Sequence, residues 1–160
     1  LRLFAEGEQK RVVGFDTFGS FADSLLDYEK ESAESFVDEA SFEGIDPASL
    51  ESSAKQFGFN NCELVSGDVL DTIPQYAKNN PGFRISLLNL DFDTYKGTKV
   101  ALDILYDFVT PGGIVVLDEY GKRGGGESDA VDEFLKGKKI QLQAIRQSFQ
   151  PTAYFIKPLL

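Results

Sequence analysis

Asp91 and Asp93 close one apolar run of this chain, and the acidic pair Asp118-Glu119 closes the next. The first run is Arg84-Ile-Ser-Leu-Leu-Asn-Leu-Asp-Phe-Asp93; the second is Pro111-Gly-Gly-Ile-Val-Val-Leu-Asp-Glu119. Apolar runs of this length with a carboxylate at the C-terminal end read as buried parallel strands. In open α/β sheets, ligands bind beyond the carboxyl ends of the strands. The chain between Asp91 and Asp118 is long enough for one crossover helix and a neighbouring strand. The spacing therefore brings three or four carboxylates to one edge of one sheet. Carboxylates held together repel unless a cation sits between them. An all-oxygen donor set suits Mg²⁺, Ca²⁺ or Mn²⁺.

The composition limits what such an edge can serve. A chain of 160 residues that is 42% hydrophobic suits one domain with one core. Its 26 acids against 16 bases give a net charge of −10. That charge disfavours nonspecific contact with nucleic acid or anionic membrane, which need basic patches. No apolar stretch approaches the ~20 residues of a membrane-spanning helix. No signal peptide is visible, so a cytoplasmic setting is the default expectation. Cys62 is the single cysteine and reads as a core residue of a strand. Histidine is absent, which removes imidazole bases, histidine triads and histidine-based zinc sites. Methionine is absent too, so the chain is expected to be processed, trimmed or part of a longer protein.

The elements that must position these acids follow from the pattern. Arg11 to Asp16 reads as a strand ending in an acid. Residues 17–45 read as a lid or insertion, a long loop with short helical pieces. Asp46-Pro47 opens a helix that carries Leu50, Ala54 and Phe57 and stops at Gly58. A strand over 61–66 leads through Gly67-Asp68 into a helix over 69–78, despite Pro74. Asn79 to Gly82 is a loop, followed by the strand over 84–90. Tyr95 to Val109 reads as one helix, with Ala101, Ile104, Leu105 and Phe108 on one face. Pro111-Gly112-Gly113 reads as a turn before a strand over 114–118. Gly121 to Ser128 reads as a mobile loop, and Asp129 to Lys136 as a helix. Two strands over 139–146 and 152–157 form an antiparallel pair. The expected fold class is α/β: a Rossmann-like three-layer sandwich whose mostly parallel sheet ends in a C-terminal antiparallel hairpin.

The order and spacing of several segments resemble class I S-adenosylmethionine-dependent methyltransferases, and within them the macrocin O-methyltransferase family. The resembling segments are Val13-Gly-Phe-Asp-Thr-Phe18, Leu64-Val-Ser-Gly-Asp68, Leu88-Asn-Leu-Asp-Phe-Asp-Thr-Tyr95, Thr98-Lys-Val-Ala-Leu102 and the stretch from Pro111 to Tyr120. The likeness runs from about Arg11 to the end. It implies methyl transfer to a hydroxyl of a sugar or other small metabolite, with S-adenosylmethionine and Mg²⁺ as cofactors. It implies that Asp16 accepts hydrogen bonds from the cofactor ribose, with Phe18 beside it. Asp68 would contact the adenine amine, with Gly67 and Val69 against the ring. Asp91, Asp118 and Glu119 would hold the metal. Asp91 and Asp93 are the implied catalytic acids, although a capping role at the helix starting near Thr94 is the plainer reading of Asp93. Asp16 and Asp68 also have plainer readings, as a helix cap and a strand-to-helix turn.

Two departures from the family pattern matter. Some related enzymes use a histidine base. Here Asp91 or Asp93, Lys96, Tyr95 or a metal-bound hydroxyl must replace it. The family's first strand also carries an acidic, glycine-rich loop, and Leu1 to Lys10 are too few to supply it. The expectation is a sheet lacking its first, central strand, and weak cofactor binding by these residues alone. Two other readings compete. Leu90-Asp-Phe-Asp93 is similar to the nucleophile loop of Mg²⁺-dependent phosphatases of the haloacid dehalogenase type, but Tyr95 stands where a small residue belongs. The non-enzyme reading is a degenerate methyltransferase-like binding module, with a homo-oligomer as an open option.

Overall fold

The computed structural model describes residues 10–19, 25–40, 44–122 and 126–159, apart from the side chains of residues 32 and 36–40. The start of the chain, parts of the 17–45 insertion and the centre of the glycine run at 123–125 lie outside the described residues. So does the expectation of mobility at the triple glycine.

Strand β1 (Val12–Asp16) pairs in parallel with β2 (Cys62–Ser66), with Asp16 opposite Ser66. A second sheet has the order β3-β4-β6-β5, built from β3 (Ile85–Leu90), β4 (Val109–Leu117), β5 (Gln143–Ala144) and β6 (Ala153–Ile156). β3 and β4 are parallel, while β6 runs antiparallel to both β4 and β5. The mostly parallel sheet with a closing antiparallel hairpin is thus as expected. Among the described residues β1 pairs only with β2, and β3 only with β4, so each keeps one unpaired edge.

Five helices accompany the strands among the described residues: α1 (Asp27–Ala40), α2 (Pro47–Gln56), α3 (Val69–Asn79), α4 (Tyr95–Leu105) and α5 (Glu127–Leu135). α2 starts as its sequence demands. The Asp46 carboxylate accepts from the Ser49 N–H, and Pro47 occupies the first turn. Its apolar stripe is uncovered, however: Phe57 is 76% exposed and Leu50 40%.

The core lies between the four-stranded sheet and helices α3, α4 and α5. Leu88 and Leu90, Val115 and Leu117, and Ala153 and Phe155 point inward to meet Ile73, Ala101, Leu102, Leu105, Val131 and Phe134. The alternate residues point the other way. Leu87, Ile114 and Ile156 are in register across three strands and are 38%, 37% and 44% exposed. The sequence reading of strands buried on both faces therefore fails for the second face of this sheet.

Four expectations about elements also differ. Among its described residues the insertion carries a helix of 14 residues, longer than the short pieces expected. The helix expected over 95–109 ends at Leu105, followed by a 3₁₀ turn at Tyr106–Phe108, and β4 begins at Val109. Pro111-Gly112-Gly113 is then a bulge inside β4, because pairing steps from Ile85↔Val109 directly to Leu87↔Ile114. Gly112 has φ +79°, and a Cβ at Gly113 would lie 2.7 Å from Val109 Cγ1, so the bulge needs both glycines. Finally, the strand expected over 139–146 shrinks to Gln143–Ala144.

Candidate active site

The carboxyl ends of the parallel strands carry two groups of acids. The first group stands on β1 and β2. The Asp16 carboxylate accepts from the Phe18 N–H at 2.7 Å, which turns the chain and places Phe18 at φ +56°. Gly67 N–H donates to the Asp16 carbonyl at 2.9 Å, tying the two strand ends together. Gly67 itself has φ +133°, a conformation that suits glycine. Asp68 is the N-cap of α3: its carboxylate accepts from Leu70 N–H at 2.9 Å. Val69, the first residue of α3, packs partly buried against the core. The structure thus brings Asp16, Phe18, Gly67, Asp68 and Val69 to one edge. It also gives Asp68 the turn-and-cap role that the sequence left open.

The second group stands on β3 and β4. Leu90 pairs with Leu117, and Asp118 N–H donates to the Leu90 carbonyl at 3.0 Å, so Asp91 and Asp118 follow side by side. Asp91 is exposed as a residue, yet its carboxyl loses hydration at the sheet edge. That loss, then repulsion from Asp118, Glu119 and Asp16, raises its pKa. Asp118 is raised by lost hydration and by Glu119, with Lys122 opposing. Asp93 is pushed up to about 7, first by burial, then by its hydrogen bond to Glu119 and by the charges of Glu119 and Asp91.

Glu119 is buried, 7% exposed, and its carboxylate accepts from Gln150 Nε2 at 2.5 Å and from the Lys122 ammonium. Behind it lies Glu127, 1% exposed at the start of α5. One Glu127 oxygen accepts from Glu119 N–H at 3.1 Å, and the other has no partner among the described residues. Burial, then the nearby acids Asp118, Glu119 and Asp93, push the Glu127 pKa up to about 8, against the opposing pull of that backbone hydrogen bond.

The helix cap expected of Asp93 belongs to its neighbour. Thr94 caps α4, its hydroxyl accepting from Gly97 N–H at 3.3 Å. Asp93 is instead in the left-handed region at φ +58°, which frees its side chain to turn toward Glu119. Tyr95 is directed elsewhere: its hydroxyl donates to Glu133 of α5 at 2.5 Å. Glu127, Lys122 and Gln150 were absent from the sequence-level site. The run of glycines before Glu127 makes it read as part of a mobile loop.

The acids are crowded and short of positive charge, and their donors are all oxygen, which is the chemistry of a hard divalent cation. Among the described residues, however, no three His, Cys, Asp or Glu side chains are grouped so as to hold a metal ion. The hydrogen bonds from Lys122 and Gln150 to Glu119 occupy an oxygen that such an ion would need.

A family model described as macrocin-O-methyltransferase (TylF) matches residues 2–155. The chain belongs to this family. Two structures of the calicheamicin methyltransferase CalS11, one described as an apo TDP-rhamnose 3'-O-methyltransferase, are 26% identical to it, with TM-scores of 0.62 and 0.69. The chain is covered to 94% in both, and they are covered to 59% and 61%. The O-methyltransferase NovP is 20% identical, with a TM-score of 0.77 over 94% of this chain and 61% of NovP, a likeness of fold. The chain thus spans about three fifths of the length of these solved proteins. No curated protein matches it. The phosphatase reading finds no support beside this family. Among the described residues no helix is long and apolar enough to cross a membrane.

Proposed function

We propose that this chain carries the cofactor and acceptor machinery of an S-adenosylmethionine-dependent O-methyltransferase acting on a hydroxyl of a small molecule, a sugar or similar metabolite. The reading is carried by both acid groups standing at carboxyl ends of parallel strands that share one core, Phe15 of β1 packing against it. Asp16 is also among the charges that raise Asp91, so a ligand held by the first edge would stand near the second. Asp16 would accept hydrogen bonds from the ribose diol and Asp68 from the adenine amine, with Phe18, Gly67 and Val69 flanking them. The acceptor hydroxyl would lie against Asp91 and Asp93. S-adenosylmethionine, when bound at the first edge, would supply an electrophilic methyl group to the hydroxyl oxygen and would leave as S-adenosylhomocysteine. Asp93, with a pKa near neutrality, would receive the hydroxyl proton. Most of the rate comes from positioning.

Divalent-metal assistance is part of the proposal, with Asp91, Asp118 and Glu119 as the ligands once they regroup, since as they stand they form no metal-holding cluster among the described residues. When bound there, the ion would lower the pKa of the acceptor hydroxyl. Lys122 and Gln150 would have to release Glu119 first. The CalS11 likeness supports a sugar acceptor.

Calorimetry of S-adenosylmethionine binding to the full-length protein tests the reading. A charged hydrogen bond to a ligand contributes ~1.5–3 kcal/mol, so Asp16→Ala should weaken binding about ten- to a hundredfold. Equal affinity of the variant and the parent would remove the cofactor assignment. Turnover unaffected by a chelator would remove the metal from the proposal while leaving methyl transfer intact.

A further inference from the structure

We infer that Glu29 is a positioning residue that latches the inserted helix α1 onto the start of α4 and, through it, sets the backbone of Asp93. The inference rests on the functional reading above only for its catalytic consequence. Glu29 is 3% exposed, far from the acidic group in sequence. A buried carboxylate must find donors. One Glu29 oxygen accepts from Leu26 N–H at 2.7 Å, the reach back to its own helix start that a third-position glutamate makes. The other accepts from Tyr95 N–H at 2.5 Å, the first residue of α4. A single carboxylate therefore serves two helix N-termini, both of which favour negative charge.

The third party is Gly126. A Cβ there would lie 2.1 Å from Glu29 Oε1, 2.3 Å from Tyr95 N and 2.5 Å from Tyr95 Cβ, so only glycine permits this approach. Gly126 N–H also donates to the Asp93 carbonyl at 3.1 Å. A second tie runs from the Tyr28 hydroxyl to Asp129 at 3.3 Å. Asp93, a non-glycine residue at φ +58°, keeps that conformation only when its surroundings impose it. Those surroundings are the Glu29–Tyr95–Gly126 junction on its main chain and Glu119 on its side chain. Seating α1 and shaping Asp93 are thus one event. Helix α1 is strapped to the starts of α4 and α5, and Glu29 is its clasp.

Residue-resolved amide exchange tests the clasp without reference to activity. In Glu29→Ala and Gly126→Ala, the Tyr95 amide and the α1 amides should exchange about tenfold faster or more, because a charge-assisted bond is lost. The Leu117 and Phe155 amides report whether the core has kept its fold. Glu29→Gln guards against a variant that loses it. Glutamine's single acceptor oxygen can serve only one of the two donors well, so Leu26 or Tyr95 must lose protection. Unchanged exchange at both amides in Glu29→Gln overturns the inference. In the full-length protein, Glu29→Gln should lower kcat about ten- to a hundredfold with little change in the KM for S-adenosylmethionine. Faster exchange with unaltered kcat would overturn the link to Asp93. An unmutated protein that transfers no methyl group would instead sink the functional reading and leave the exchange test standing.

Discussion

Acids end strands on both sheets of this molecule, and the two sets are handled in opposite ways. On β1 and β2, Asp16 and Asp68 each direct a carboxylate oxygen to a backbone N–H two residues ahead, at Phe18 and Leu70. Each is satisfied locally and supports the turn it stands on. On β3 and β4, Asp91, Asp93 and Asp118 meet other acids, and Glu127 is buried behind them with one oxygen unpartnered among the described residues. Locally satisfied acids contribute to stability. Crowded acids subtract from it, which is a common mark of groups kept for chemistry.

Changes that remove a carboxylate should therefore have opposite signs at the two edges. The largest expected effect is on pH dependence. Glu127 is raised from its ordinary 4.5 to about 8, and Asp93 from 3.8 to about 7. Below both ordinary values the folded and unfolded states hold these protons equally. The unfolded chain has released the proton and the folded chain has not between roughly pH 4 and 7 for Asp93 and roughly pH 4.5 and 8 for Glu127, so stability falls as pH rises through those windows. Glu127→Gln should flatten the fall and gain on the order of a few kcal/mol over the parent at pH 8. Urea denaturation at several pH values measures this. A parent whose stability rises from pH 5 to 8 would show that the edge is relieved in solution.

A smaller effect of opposite sign is expected at the other edge. Asp68→Ala removes the cap of α3 and should cost about 1 kcal/mol in the same experiment. A gain there would erase the distinction between the two edges. The smallest effect is at Asp118, which is only half-buried. Asp118→Asn should stabilise by about 0.5 kcal/mol at neutral pH, less in high salt. A clear loss would mean that Asp118 is already balanced by a cation.

The strand-end acids were legible in the sequence because period and punctuation agree there: apolar runs, then Asp, then a glycine or a helix start. Asp46-Pro47 announced α2 for the same reason, and the short link at Pro151 announced the antiparallel pair β5–β6. What was missed depended on contacts distant along the chain. α1 is polar, and its start lacks a Ser or Thr cap, so it read as loop; Glu29, which caps it, is satisfied by Tyr95 on another helix. Pro111-Gly112-Gly113 carries a turn signature, but β3 on one side and β6 on the other hold it as a bulge. Asp93 and Thr94 are both capping residues by type, and only the backbone angle of Asp93 decides between them. Glu127 gave no local signal, since it is held by the Glu119 N–H that follows β4.

The row Leu87, Ile114 and Ile156 has a practical meaning. It is a flat aliphatic stripe on a sheet face, next to strands with unpaired edges, on a molecule whose charge is −10. Mutual repulsion is what keeps such stripes apart in solution. That repulsion vanishes near the isoelectric point of about 4.5 and is screened by concentrated salt. Handling conditions thus set the colloidal state of these residues: dilute buffer above neutrality keeps them dispersed, while acidification or salting brings stripe against stripe. The same stripe gives an apolar dye a surface on which to report that state.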